Sequence, residues 1–131
     1  MSTTLLGFPR SRRLTSSADF QRVFDRAAKS SDNQLTVLAR ANQMNHPRLG
    51  LAISKKNIRQ ANDRNRLKRI IRESFRLNQQ NLAGIDFIIM ARTAALQADH
   101  ETLFRSLHKH WAHLVKQCKP SWSPSSRSTA T

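Results

Sequence analysis

The chain of 131 residues predicts an α+β domain: a small mixed β-sheet packed with three helices. Two observations carry this expectation. Long segments repeat apolar residues at the helical period, shorter ones alternate them at the strand period, and the two kinds are interleaved along the chain. The length suits one domain, and an apolar fraction of 38% suffices for one modest core.

Residues 1–13 read as a basic N-terminal arm, and residues 14–117 as the single domain. TSSADFQRVFDRA opens the domain as a helix. Thr15, Ser16 or Ser17 supplies its cap, Asp19 suits its positive end, and Phe20, Val23, Phe24 and Ala27 form an apolar face. KSSDN is a connector with room for a very short strand. QLTVLARA (34–41) alternates Leu35, Val37 and Ala39 against Thr36, Leu38 and Arg40. RLGLAIS (48–54) alternates again, after the turn-rich NQMNHP, so the two strands are expected to pair as a hairpin.

The segment from about Ile58 to Leu82 is helical by period. At roughly 100° per residue, Leu67, Ile71, Ser74, Phe75 and Leu82 fall in one arc, with Ile70 at its edge. Gly84 suits a helix C-terminal cap, and Phe87 to Met90 read as a strand buried on both faces. A last helix follows, capped by Asp99, with Leu103, Leu107, Trp111, Leu114 and Val115 facing inward. The strands flanking the long helix are candidates for a parallel βαβ pair. Residues 118–131, ending KPSWSPSSRSTAT, have the composition of a disordered tail.

Lys and Arg number 23 against 8 acidic residues, a formal net charge of +15. Such an excess repels itself unless a polyanion neutralises it, which makes nucleic acid the leading partner class. Cys118 is the single cysteine, in keeping with a reducing compartment. The start lacks an apolar run of signal-peptide length, and no run approaches the roughly 20 apolar residues of a membrane span. The expectation is a soluble cytoplasmic protein with no membrane partner.

NDRNRLKRIIRESFR, residues 62–76, carries six Lys or Arg among its fifteen residues. On the helical wheel Asn65, Arg66, Lys68, Arg69, Arg72 and Arg76 span the arc opposite the apolar stripe, broken only by Glu73. A solvated helix would place acids four residues from bases. A face of nearly one sign points to phosphate binding. Arg64 lies in line with the apolar stripe one turn before Leu67, and projects past the core at the helix N-terminus. Lys55 and Lys56 add charge where the chain turns into this helix.

SKKNIRQANDRNRLKRIIR, residues 54–72, resembles the signature of the bacterial ribonuclease P protein subunit. A Lys-Lys pair follows the strand, Ala61 stands three residues before Arg64-Asn65-Arg66, and Leu67, Lys68, Arg69 and Arg72 keep the family spacing. The similarity extends from Arg13 to about Leu114. It implies a ribosomal-protein-like sandwich with a left-handed βαβ crossover, a rare hand that pattern alone would not suggest. It also implies a role beside a large catalytic RNA that holds the Mg²⁺ ions and removes the 5′ leader of precursor tRNA. Arg64, Asn65, Arg66, Lys68, Arg69 and Arg72 would contact the catalytic RNA. Phe20, Phe24, Leu38, Lys55 and Lys56 would line the leader cleft, since aromatic faces beside positive charge hold unpaired bases. The i, i+4 spacing of Phe20 and Phe24 equally suits a core. Some members carry an aromatic where Leu38 aligns, and this chain has no tyrosine.

Competing readings are a structural RNA-binding protein such as a ribosomal component, a DNA-binding basic helix and a protein-only nuclease. No helix-turn-helix, paired carboxylates, Ser-His-Asp set or Gly-rich phosphate loop supports the last two. His108, His110 and His113 lack the pattern of a zinc site and read as protonatable, RNA-facing or simply exposed. No DNA partner and no metal held by the protein itself are expected.

Overall fold

In the computed structural model residues 12–118 are described; the parts of the arm and tail beyond them, Trp122 included, lie outside. The elements run α1 (Ser17–Asp25), β1 (Ala28–Ser31), β2 (Leu35–Ala41), β3 (Arg48–Leu51), α2 (Ala61–Asn78), β4 (Ile85–Ala91) and α3 (His100–Gln117). Short 3₁₀ turns occupy Gln79–Leu82 and Thr93–Gln97. Ser16 caps α1, its Oγ accepting from the Asp19 N–H at 3.0 Å. Asp99 caps α3 in the same way through the Thr102 N–H at 2.8 Å. Each satisfies a backbone donor that the helix itself leaves free.

The four strands lie in the order β1-β2-β4-β3. β2 pairs antiparallel with β1 and β4, and β3 runs parallel to β4 with Leu49 opposite Phe87. The expected β2–β3 hairpin is therefore corrected: β4 sits between them. Alternation fixes which face a residue occupies but not which strand is its neighbour. β4, buried along nearly its whole length, takes a central place with a ladder on each edge. The parallel pairing of the strands flanking α2 stands as expected.

α2 begins three residues later than the period suggested, because residues 55–57 form a turn and Ile58 is buried within the approach to the helix. Its last turn tightens into 3₁₀ geometry, and Gly84, at φ 84°, swings the chain into β4. That left-handed conformation carries no side-chain penalty in glycine.

One sheet face packs Leu35, Val37, Ala39, Phe87 and Ile89 against Leu67, Ile71 and Phe75 of α2 and Leu103, Leu107 and Leu114 of α3. Trp111 lies edge-on to Phe75 and Phe87, with ring centroids at 6.1 and 4.9 Å. Its indole N–H donates to Ser74 Oγ at 3.0 Å, which explains a serine inside the apolar stripe. The opposite face carries a smaller cluster of Leu14, Val23 and Ile88.

Candidate nucleic-acid interface

The six basic-helix residues singled out above all lie on α2, but they are not equivalent. Asn65, Arg69 and Arg72 are exposed, while Arg64, Arg66 and Lys68 are half-buried. Arg64 reaches back over the N-terminus, donating from Nη1 to the carbonyls of Ile58 and Arg59 at 2.9 and 2.8 Å. Arg66 donates from Nη2 to the Ala98 carbonyl at 2.8 Å, tying α2 to the segment before α3. A guanidinium has five donors, so both retain charge and hydrogen-bonding capacity for a phosphate. Glu73, the break in the basic arc, lies 3.5 Å from His100 Nε2.

Lys68 and Arg72 share a concavity of about 230 Å³ with Arg13, Leu14, Leu49 and Leu51. Arg13, grouped with the arm by composition, forms a parallel bridge with Leu49. Although Arg72 is exposed overall, partial desolvation of its guanidinium first, and then the like charge of Arg13, lower its pKa. A cluster that holds cations together against their mutual repulsion is a surface suited to an anion. Composition groups Arg13 with its arm neighbours, whereas the bridge to Leu49 joins it to the edge of the sheet.

The second region lies between α1 and the sheet. Phe20 is half-buried beside the cluster of Leu14, Val23 and Ile88, together with Ala27, Leu38, Ala52 and Met90. Phe24 is 44% exposed, with its ring centroid 6.3 Å from that of Phe20. The two rings thus divide between packing and display. Leu38 and Lys29 face each other across β1 and β2, and Lys29 is exposed. Met90 and Lys29 carried no signal in sequence; only the register brings them to this face. Lys55 and Lys56 are exposed in the turn after β3, close in sequence to Ala52 of the cluster.

A polar clamp fixes α1 on the sheet. Asp86 on β4 is fully buried and accepts from Arg48 Nε and Nη2 at 2.9 and 2.8 Å, from Arg22 Nη2 at 2.7 Å and from Asn42 Nδ2 at 2.8 Å. Burial pushes its pKa up, but the bonds from Arg48, Asn42 and Arg22 outweigh that and hold it below the usual value. Arg48 also lies 3.8 Å from Asp19 of α1. The clamp sets where Phe20 and Phe24 stand relative to the strands.

The histidine expectation needs one correction. His110 is buried, because its position on α3 faces β1. Its Nδ1 lies 2.7 Å from Ser30 Oγ, and its Nε2 lies 3.2 Å from Asp32 Oδ2 without the alignment of a hydrogen bond. His108 and His113 are exposed. Among the described residues no group of three or more His, Cys, Asp or Glu comes together as a metal site, and no helix is long and apolar enough to cross a membrane.

The sequence model of the family described as Ribonuclease P matches residues 8–115. The chain is 56% identical over 118 residues to the ribonuclease P protein component of Methylococcus capsulatus, covering 90% of this chain and 92% of that one. It is 47% identical over 114 residues to the component from Chromohalobacter salexigens, covering 86% and 89%. Among solved structures, the Staphylococcus aureus RNase P protein superposes with a TM-score of 0.71 at 32% identity, covering 80% of this chain and 93% of that chain. The Thermotoga maritima RNase P protein gives 0.69 at 30% identity, covering 76% and 94%.

Proposed function

This chain belongs to the ribonuclease P protein family, and from that premise we propose that it is the protein subunit of a ribonucleoprotein endonuclease that removes the 5′ leader of precursor tRNA. The observation that carries the reading is the pairing of two surfaces: a nearly single-signed basic helix and, across the sheet, the aromatic pair of half-buried Phe20 and exposed Phe24. The first suits the phosphates of a folded RNA, the second a single strand whose bases are free to stack.

In this reading Arg64, Asn65, Arg66, Lys68, Arg69 and Arg72 hold the catalytic RNA. Phe20, Phe24 and Leu38 receive the leader, with Lys55 and Lys56 beside its backbone. The RNA holds Mg²⁺ and performs the hydrolysis in the cytoplasm, and the protein raises affinity for precursor over mature tRNA. Leu38 contributes apolar contact where an aromatic would stack, so the two phenylalanines carry most of the leader affinity.

Cleavage of a 5′-extended precursor tRNA at physiological Mg²⁺ tests this, with protein alone, cognate catalytic RNA alone and both together. Efficient cutting at the mature 5′ end is expected only from the pair, and its loss in an Arg64/Arg66/Arg69→Ala variant. Cutting by the protein alone would make it a nuclease in its own right; no gain over the RNA alone would leave a structural RNA-binding protein. Phe20→Ala is expected to weaken precursor binding more than mature tRNA binding. Equal losses would return that ring to a purely packing role.

A further inference from the structure

A further concave surface belongs to neither region. It is a groove of about 860 Å³ at the end of the sheet where β3 and β4 finish and α3 begins. Its size falls within the roughly 300–1,000 Å³ of small-ligand clefts. Asn33 and Gln34 ahead of β2, Asn57 after β3, Gln97 in the second 3₁₀ turn, Arg92 and Asp99 supply its polar lining.

The chemistry here differs from that of the basic helix. The side-chain amides of Asn33, Gln34 and Gln97 make no hydrogen bond among the described residues. Asn57 commits its Nδ2 to the Ala91 carbonyl at 3.0 Å and keeps its amide oxygen. Arg92 and Asp99 contribute opposite charges, so a phosphate entering the groove would meet one cation and one carboxylate. A neutral, planar group with donors and acceptors along its edge fits better. Side-chain amides pair with base edges, and a guanidinium plane stacks on a base. The Arg92 guanidinium is exposed and steadied at the rim by Nη1 contacts of 3.4 Å to Ser31 Oγ and 3.3 Å to the Asp32 carbonyl.

The neighbouring element says which planar group would arrive. Arg66 of the basic helix is bonded to the carbonyl of Ala98, a residue that itself lines the groove. The groove therefore adjoins the basic helix at Arg66. We infer that this groove takes one unpaired nucleobase of a bound RNA, with Gln34 and Gln97 on its edge and Arg92 on its face. The inference rests on the RNA-binding role proposed for α2, and the base belongs to either the catalytic RNA or the precursor tRNA.

Chemical probing of base edges in both RNAs tests it, using reagents that modify the hydrogen-bonding edge of unpaired bases. The full-length wild type, Gln34→Ala/Gln97→Ala and Gln97→Ala alone are compared on each RNA. One base in one RNA is expected to be protected by the wild type and to regain reactivity in the variants. Affinity should fall on the order of tenfold in the double variant with an unchanged salt slope, since no phosphate contact is lost. Protection and affinity equal to wild type would overturn the inference. Gln97 is exposed, so the single variant keeps the test sound if the double variant unfolds. A wild type that leaves both RNAs unbound would instead overturn the RNA-binding role of α2, and the groove's role with it.

Discussion

Asp86 and His110 show how single buried polar groups set the behaviour of this protein. Replacing Asp86 with alanine leaves Arg48 and Arg22 without their shared partner, and the expected cost is about 3–5 kcal/mol in urea unfolding at neutral pH. Both groups also make stability depend on pH. Burial lowers the His110 pKa; Asp32 opposes this, and Lys109 and His113 add to it. A depressed folded value means its contribution is full above the unfolded pKa, about 6.5, and is lost as pH falls through the folded one. Asp86 is depressed too, so its contribution holds above about pH 3.9 and is lost in stronger acid. Unfolding free energy against pH should therefore fall in two stages, with His110→Gln reducing the first and Asp86→Asn the second. An unaltered profile in either variant would remove that group from the account. Gly50 gives a steric counterpart: a Cβ there would come within 2.7 Å of Phe20 Cζ and 3.1 Å of Leu14 Cβ. Gly50→Ala should destabilise by about 1–3 kcal/mol, and by displacing Phe20 should also weaken precursor tRNA binding. Unchanged stability and binding would mean that the ring moves aside freely.

Helix α2 combines packing with the RNA recognition proposed for it on one 18-residue element, and its arginines differ in how far they also serve the fold. Arg66 carries a structural bond to the Ala98 carbonyl, whereas Arg69 is exposed and makes no side-chain bond among the described residues. Arg66→Ala is expected to lower both RNA affinity and stability, the latter by about 1–3 kcal/mol for a hydrogen bond to a charged group. Arg69→Ala should lower RNA affinity with stability changed by less than about 0.5 kcal/mol. Equal thermal unfolding of the two variants would show that the Ala98 tie is energetically silent. The helical wheel identified the charged arc but treated it as uniform. Partners such as the Ala98 carbonyl come from a segment 32 residues away, and no local period encodes them.

At the scale of the whole molecule, a net charge of +15 makes the fold its own adversary at low ionic strength. If about six phosphates are neutralised by α2, binding to single-stranded RNA should fall with log salt at a slope of roughly −4. A nearly flat dependence would sink the electrostatic account. The sequence by itself determined the element types, the apolar stripe of α2, the single-signed face opposite it, and the family. Each is written in local spacing or in a contiguous signature, because helices and strands expose their periods along the chain. Only the tertiary structure decided that β4 separates β2 from β3, that Asp86 is clamped by Arg22 and Arg48, and that His110 is buried against β1. It also brought the amide-lined groove together from segments far apart in sequence. Strand order, ion-pair partners and concavities depend on which distant segments share the available surface, and a one-dimensional pattern records only which face each residue turns inward.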